Sequence, residues 1–238
     1  MISVIIPVYN HAKELKKCFD SILNQNFRDF EVIVVNDGST DNLEAVLKGY
    51  EPVFNKESIE FKIINQENRG ASVARNKGFL ESKGEYILFL DADIRLKSNM
   101  FYKMKSILDK KQEYSYVYSS FKFGFKKFRL WPFSARRLRE MPYIHTSSLI
   151  RREHFPGFDE SLAKFQDWDL WLQMLEQGYK GKWIPRVLFK IKTGGTMSSW
   201  IPSFFYKIPW KKLGIKMKDI DRYNDSMDKI KEKYAIKG

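Results

Sequence analysis

Two carboxylates end an apolar run in the first half of the chain. Asp91 and Asp93 follow directly on Ile87–Leu90, whose unbroken apolar character predicts a strand buried on both faces. Open α/β sheets bind ligands at the carboxyl ends of their strands, so the two acids are expected at such a site. Because neighbouring carboxylates repel unless a cation lies between them, the pair indicates a divalent metal. The same Asp-x-Asp sequence pattern recurs at 167–169 and 219–221. The prediction therefore depends on the buried strand that precedes Asp91.

Three strand–helix units precede this pair of acids. The apolar character of 2–6 and 31–36 predicts two buried strands, each followed by apolar residues at helical spacing. A third strand is predicted at 59–64, followed by a helix over 71–82. This alternation predicts an α/β fold with a mostly parallel, Rossmann-like sheet flanked by helices. Ser39 or Thr40 is the expected N-cap of the second helix. Several polar residues follow the strands and should meet on one rim of the sheet: Tyr9, Asn10, Asp37, Asn68 and Arg69.

The second half of the chain is less regular. Helical periodicity at 99–111 and 167–176 predicts two helices, and 114–122 and 145–151 have the character of strands. A last, lysine-rich helix is predicted at 219–234. No internal repeat or low-complexity linker interrupts the chain, so we expect one compact unit.

The charge and the cysteine content restrict the partners and the compartment. The formal net charge is +13, which favours an anionic partner: nucleic acid, a phosphorylated small molecule or an anionic membrane. Cys18 is the single cysteine, so an intramolecular disulfide is impossible and a reducing cytoplasm is expected. Neither a signal-peptide pattern nor an apolar run of about 20 residues is present, so we expect the protein to stay inside the cell.

Two segments combine basic and aromatic residues, 121–133 and 200–212. Amphipathic rings beside lysine and arginine suit the interface of an anionic membrane, so they predict peripheral binding at the inner face of the cell membrane. The alternative is a loop that packs around an acceptor and carries a solvated run of charge.

Five motifs occur in an order and spacing that identify a family. They are Val4–Asn10, Asn36–Asp41, Asn68–Gly78, Asp91–Asp93, and Phe158–Glu160 together with Gln166–Trp171. Between residue 2 and about residue 200, the chain resembles the inverting, nucleotide-sugar-dependent glycosyltransferases of family two, which have the GT-A fold. The resemblance implies a GT-A sheet with an extension on the acceptor side.

The resemblance also implies a role for each matching residue. The nucleotide-binding residues would be Pro7, Tyr9, Asn10, Asp37, Asn68, Arg75 and Asp91. Asp37 would accept a hydrogen bond from uracil, which favours a UDP-sugar as donor. Asp93 would hold Mn²⁺ or Mg²⁺ on the donor diphosphate, and Asp167 would be the catalytic base.

Two positions depart from the family pattern. Gln166 stands where the family usually has a glutamate before the base, so one acceptor-side charge is lost. Lys192 lies near the position of a histidine that in many members helps to hold the metal or diphosphate. A protonated lysine cannot ligate a metal, but it can pair with phosphate, so Lys192 is a candidate diphosphate contact. A shifted alignment is the alternative.

The implied function is transfer of a sugar to an acceptor hydroxyl. The acceptor would be a saccharide or a lipid-linked saccharide in the synthesis of a surface polysaccharide or glycolipid. The chain would divide into residues 1–112 for the nucleotide-sugar, 113–210 for the acceptor and the base, and 211–238 as a basic helical tail.

Other interpretations remain open for the sequence alone. Asp37 before a glycine is also typical of a plain turn, and Asp167 before an apolar helical run is also typical of an N-cap. A nucleotidyltransferase would need a phosphate-binding loop after the first strand, which 7–10 does not resemble. A nucleic-acid-binding module would show a clustered basic face or a known motif, and none is recognisable, so no nucleic acid is expected as a partner. A domain that binds nucleotide-sugar without catalysis is the remaining alternative.

Overall fold

A computed structural model describes residues 1–192 and 218–236. Its first half consists of regular strand–helix units. In chain order these are β1 (Ile2–Val8), α1 (Ala12–Leu23), β2 (Phe30–Asp37), α2 (Leu43–Lys56), β3 (Phe61–Gln66), α3 (Ala71–Leu80) and β4 (Tyr86–Phe89). Both ends of all four strands lie within two residues of the predicted ends. For β1, β2 and β4 the reason is that their apolar sequences leave few alternatives.

The second half contains shorter elements and one long strand. In chain order these are β5 (Ile94–Leu96), α4 (Met100–Lys110), β6 (Tyr116–Phe123), β7 (Lys126–Phe128), α5 (Ala135–Glu140), β8 (Leu149–Arg151), α6 (Gln166–Glu176), β9 (Gly181–Ile191) and α7 (Lys218–Lys233). The expected strand over 145–151 is reduced to its last three residues. Sequence periodicity missed β5, β7, α5 and β9.

All the described strands form one sheet. Their order is β3-β2-β1-β4-β8-β6-β9-β5. The short strand β7 also pairs with β6, on the edge of β6 opposite β9. Strands β1 to β4 pair in parallel, β8 runs antiparallel to both β4 and β6, and β9 lies parallel to β6. The expected α/β fold with a mostly parallel sheet is confirmed. The long parallel β6–β9 pair extends this sheet into the second half of the chain.

The sheet separates two apolar cores. Side chains alternate across a strand, so Val4 and Ile6 pack on one face and Ile5 on the other. The first face is covered by α1, α2 and α4, and the second face carries a core that includes Trp168 and Trp171 of α6. Both faces of the central strands are therefore buried, as their uninterrupted apolar sequences predict.

The predicted cap of α2 is wrong. The helix begins at Leu43 after Asn42, and neither Ser39 nor Thr40 caps it. Both residues instead hydrogen-bond to Asn10 in the loop after β1. The turn at Ser39 and Thr40, which was expected to begin α2, instead joins the loop after β2 to the loop after β1.

The helix that carries Asp167 begins one residue earlier than predicted. Its N-cap is Phe165, in the left-handed region with φ 60°, and Asp167 lies within the first turn. The interpretation of Asp167 as the N-cap residue is therefore wrong.

In the described ranges no helix is long and apolar enough to span a bilayer. The basic and aromatic segment 200–212 lies outside the described residues.

Candidate active site

Asp37, the last residue of β2, organises the loop between β3 and α3. Its side chain is 3% exposed. Oδ1 accepts hydrogen bonds from the Arg69 backbone N–H (2.8 Å) and from Gln66 Nε2 (2.7 Å), and Oδ2 accepts one from the Gly70 N–H (2.9 Å). A carboxylate has about four acceptor positions, so one remains on Oδ2. Asp37 thus holds the loop and keeps the capacity to accept one further N–H.

Asn10 joins the loops that leave β1 and β2. It lies in the left-handed region with φ 55°, and its Oδ1 accepts the Thr40 N–H at 2.8 Å. Its own N–H donates to Ser39 Oγ at 3.1 Å. In the same turn, Asp41 Oδ2 accepts the Ala12 N–H at the start of α1 (2.9 Å). The amide oxygen of Asn10 is therefore used to shape the rim, in addition to any ligand contact.

The remaining nucleotide-binding candidates line the same rim. Tyr9 is 44% exposed, Pro7 is half-buried and Asn68 is exposed. Gly38 packs so closely on the Asn68 backbone that a Cβ at Gly38 would lie 2.8 Å from the Asn68 nitrogen. Its φ of 74° also favours glycine. The loop after β2 can therefore approach the loop after β3 only with glycine at this position.

Arg75 of α3 connects the donor rim to helix α6. One terminal nitrogen lies 2.7 Å from Asp91 Oδ1, and the other donates to Gln166 Oε1 at 3.1 Å. The guanidinium also lies over the ring of Phe158, with 5.2 Å to the centroid. Arg75 Nε is buried and has no hydrogen-bond partner among the described residues. Arg75 therefore positions α6 against the end of β4 and keeps one donor available.

Asp91 and Asp93 follow β4 and have opposite electrostatic environments. Burial disfavours ionisation of Asp91, but Arg75 outweighs it and holds the pKa of that carboxyl below its usual value. Burial, together with the negative charge of Asp91, raises the pKa of Asp93 to about 6. Asp93 forms no ion pair with any lysine or arginine within 1–192 and 218–236. Of the two carboxylates, Asp93 is the one whose charge is left uncompensated.

The residues around Asp93 fit a divalent cation that is bound mainly by its substrate. No group of three or more His, Cys, Asp or Glu side chains with metal-site geometry exists in the described ranges, so an all-protein cage is absent there. Mg²⁺ is typically held by one or two carboxylates together with substrate phosphates. An uncompensated carboxylate with a raised pKa matches that requirement.

Asp167, in the first turn of α6, interacts electrostatically with His145 and Arg75, two residues that also act on Asp91. Burial raises the pKa of Asp167 above the usual aspartate value, against the opposing charges of His145 and Arg75. Oδ1 accepts the backbone N–H of Trp168 at 2.9 Å, which orients the carboxyl group. Because a higher pKa makes a carboxylate a stronger base, this environment suits proton abstraction.

His145 was not assigned from the sequence, but the fold brings it near both acids. Its charge interacts with Asp91 and Asp167, and burial lowers the pKa of His145 despite them. Nδ1 accepts the Ser147 N–H at 3.0 Å, so the neutral ring carries its proton on Nε2. The ring packs against both Phe121 and Phe189. No local motif marks His145, because only the pairing of β6 with β9 and β8 brings these residues together.

Lys192 lies beside Asp93, as a diphosphate contact would require. Its N–H donates to the Asp93 carbonyl at 3.1 Å, directly beyond the β5–β9 ladder. Its Nζ pairs with Glu14 Oε1 at 2.8 Å and lowers the pKa of Glu14. A small pocket here is lined by Lys13, Glu14, Lys17, Asp93, Arg95 and Lys192. To bind a phosphate, the Lys192 ammonium group would have to break its ion pair with Glu14.

Asp169 has a structural role two residues after Asp167. It is fully buried, and its Oδ1 lies 2.8 Å from Lys233 Nζ and 2.6 Å from the Tyr234 hydroxyl. These contacts are those of a structural acid. Trp168 is equally buried and donates its Nε1–H to the Leu138 carbonyl (2.6 Å), so it belongs to the core.

Comparisons with solved structures support the fold. The structure resembles a fragment of TarS, residues 1–349, from S. aureus in complex with UDP-GlcNAc, with a TM-score of 0.70 and 20% identity over 98% of this chain and 71% of that one. It also resembles the mannosyltransferase PcManGT from Pyrobaculum calidifontis in complex with GDP-Man and Mn²⁺, with a TM-score of 0.66 and 20% identity over 82% of this chain and 57% of that one. These likenesses confirm the expected GT-A fold.

Sequence comparisons establish the family. The uncharacterized glycosyltransferase YibD of Escherichia coli K12 is 38% identical over 100 residues, which are 42% of this chain and 28% of that protein. The chain thus covers less than a third of that relative's length. The model of the family described as "Glycosyl transferase family 2" matches residues 3–166. Since this match includes more than half of the 238 residues, the chain belongs to glycosyl transferase family 2.

Proposed function

We propose that this protein is a metal-dependent, inverting glycosyltransferase that moves a sugar from a UDP-sugar to an acceptor hydroxyl. The observation that carries the proposal is the double contact of Arg75 with Asp91 and Gln166. This contact joins Asp91 to the first turn of α6. A donor held at the end of β4 would then lie within reach of Asp167. Family membership and the residues on the rim support the same assignment.

The donor would bind along the rim formed by the strand ends. The open acceptor position of Asp37 suits the N–H of uracil, and the exposed ring of Tyr9 suits a nucleoside face. The unpartnered Nε of Arg75 suits an oxygen of the nucleotide-sugar. We assign residues 1–112 to the donor, 113–210 to the acceptor and base, and 211–238 to a basic helical tail.

Departure of the diphosphate requires compensation of its negative charge. Asp93 would hold Mn²⁺ or Mg²⁺, and a bound cation would neutralise charge that develops on the diphosphate. Lys192 would supply a further positive charge after leaving Glu14. The structure of PcManGT is a complex with GDP-Man and Mn²⁺, which supports cation use in a protein of the same fold.

Asp167 would accept the proton of the attacking hydroxyl. A single displacement, with the hydroxyl and the diphosphate on opposite faces of the sugar, inverts the anomeric carbon. The carboxylate needs to approach the hydroxyl to within about 3 Å. Burial raises the pKa of Asp167 in spite of the charges of His145 and Arg75, which makes the carboxylate a stronger base. The acceptor would be a saccharide or lipid-linked saccharide of a surface polysaccharide or glycolipid, processed from the cytoplasm.

A donor panel tests this proposal. Hydrolysis of several UDP-sugars and GDP-mannose is measured with and without Mn²⁺, and we expect turnover of a UDP-sugar only with the cation. Asp167→Asn keeps an acceptor for the Trp168 N–H, so it should lower kcat by about 10²–10⁴-fold while UDP binding stays within about twofold of wild type.

A matched control lies at the other end of α6. Glu176 is exposed and paired with Arg139, so Glu176→Gln should turn over normally. Normal turnover by Asp167→Asn would remove Asp167 from the role of base. Binding of UDP without turnover of any donor would leave a nucleotide-sugar-binding protein.

A further inference from the structure

Four cations lie in one straight line across four strands of the sheet. The register pairs Lys122 with Lys127 on one side and with Lys190 on the other, and Lys190 with Arg95. We call these four residues the cation row. At about 4.8 Å between strands, the row is about 14 Å long.

All members of the cation row point to the solvent face. The residues that flank Lys190 and Arg95 on their strands, among them Phe189, Ile191 and Ile94, belong to the apolar core. Side chains alternate across a strand, so the four cations project from the opposite face, and all four are exposed. No member forms an ion pair with any residue in the described ranges. Directly opposed like charges destabilise a sheet, so this row works against folding.

The sequence around the row offers little acid to neutralise it. Residues 114–139, which contain Lys122 and Lys127, include no aspartate or glutamate, and neither do residues 177–218, which contain Lys190. Exposed cations held at fixed spacing without internal partners are suited to an extended anionic surface.

An exposed aromatic ring lies on the same face. Phe125, in the turn between β6 and β7, is fully exposed, and Lys190 Nζ lies 5.7 Å from its ring centroid. A soluble polyphosphate has no apolar part that could contact a phenyl ring beside the charges, whereas a bilayer accepts the ring among its acyl chains and headgroups. The ring therefore favours a lipid surface over a soluble anion.

We propose that the cation row and Phe125 form a docking surface for an anionic phospholipid bilayer. Arg95 and Lys190 lie outside the basic and aromatic segments of the sequence, so the surface is defined by strand pairing. The row ends beside the proposed donor site, because Arg95 is two residues from Asp93 and both line one pocket. Docking would hold that pocket close to the lipid headgroups. Vesicle binding is measured without donor, so this proposal and the proposed transfer reaction can fail separately.

Vesicle flotation tests the surface with the full chain. Wild-type protein should float with vesicles of phosphatidylcholine and phosphatidylglycerol at low salt, remain unbound with phosphatidylcholine alone, and dissociate as salt is raised. Replacing the whole cation row with glutamine should weaken binding by about two to three orders of magnitude, since each basic residue contributes about 1 kcal/mol and 1.4 kcal/mol is a factor of ten. Phe125→Ser, with all charges kept, should weaken it by at least about fivefold.

A control of equal charge separates location from net charge. It replaces with glutamine four exposed lysines that have no ion pair in the described part of the chain: Lys16, Lys56, Lys110 and Lys180. This variant should bind vesicles nearly as well as wild type. Equal losses in the two quadruple variants would overturn the proposal, and so would wild-type protein that ignores anionic vesicles. If the protein binds soluble polyphosphate but does not float with anionic vesicles, the cation row would be a site for a soluble polyanion instead. Unfolding temperatures verify that each variant is folded.

Discussion

Arg75 and Asp91 form an ion pair in which a terminal nitrogen of the guanidinium lies 2.7 Å from Oδ1 of the carboxylate. The arginine is almost completely buried, whereas Asp91 retains 33% of its exposure. Arg75 also holds Gln166, which belongs to a distant part of the chain. One side chain therefore fixes both the charge of the donor acid and the position of the helix that carries Asp167.

Removal of this guanidinium should affect both partners. In Arg75→Met, we expect the pKa of Asp91 to rise, because its main opposing charge is lost, and the free energy of unfolding to fall by about 1–3 kcal/mol. Arg75→Lys should restore the charge to Asp91 but lose the contact with Gln166, since lysine lacks the fork of donors. NMR titration of the Asp91 carboxyl and denaturant unfolding measure the two effects. An unchanged Asp91 pKa in Arg75→Met would contradict the account.

The first half of the fold could be predicted because its signals are local. Unbroken apolar runs predicted β1, β2 and β4, and the polar residues after them were expected on one rim. The second half depends on contacts that are distant in sequence. The strand β9 interrupts its apolar residues with Pro185 and Arg186, so its pairing with β6 determines it more than its own pattern does.

The residues of the candidate site could also be predicted only where the signal is local. Asp91, Asp93 and Asp167 could be chosen from motifs, but their electrostatic differences could not. The pKa of Asp91 lies below its usual value and that of Asp93 above it because Arg75, 16 residues earlier, reaches only one of them. His145 was missed because its approach to Asp167 arises from the packing of β6, β8 and β9. The hydrogen bonds that Asn10 and Asp37 make to neighbouring loops were equally invisible.

The raised pKa of Asp93 predicts how pH affects cation binding. Below pH of about 6, protons compete with the metal for this carboxylate, so the Mn²⁺ affinity should fall about tenfold for each further pH unit, whereas above pH 7 it should be constant. Calorimetric titration with Mn²⁺ and UDP at several pH values measures this. An affinity that is flat between pH 5 and 7 would exclude Asp93 as the titrating ligand.

The same carboxylate should affect the stability of the metal-free protein. Its pKa is higher in the folded than in the unfolded state, so its contribution favours folding below the unfolded value near 3.8 and is lost as the pH rises through about 6. Asp93→Asn removes the carboxylate whose ionisation at pH 7.5 disfavours the folded state. We therefore expect this variant to stabilise the metal-free protein at pH 7.5 by about 1–2 kcal/mol. Thermal unfolding in a chelating buffer checks the prediction, and Asp20→Asn, at an exposed site on α1, is the control.

Gln166 provides a test of the electrostatics around the base. Gln166→Glu places a second carboxylate next to Asp167 and engages Arg75, whose charge opposes the raised pKa of Asp167. Both effects should raise that pKa further, so the acidic limb of the pH–rate profile should move to higher pH. The substitution also leaves the Leu162 carbonyl without its donor, which should lower stability by about 1 kcal/mol. An acidic limb that stays in place or moves to lower pH would contradict both effects.

The contact between α6 and α7 predicts that the last helix stabilises the helix of the base. Lys233 Nζ lies 2.8 Å from the fully buried Asp169 and 2.9 Å from Asp159. Lys233→Met leaves a buried charge without its cation, so we expect a loss of about 2–4 kcal/mol, somewhat below the usual cost because Lys233 is 39% exposed. Within the described part of the chain, Lys229→Met on the same helix removes one hydrogen bond, to the Ser161 carbonyl, and should cost less than about 1 kcal/mol. Denaturant unfolding distinguishes the two variants, and equal losses would mean that the Asp169 contact contributes no more than the general packing of α7. Addition of Asp169→Asn to Lys233→Met should recover part of the stability, because the uncompensated charge is then removed together with its partner.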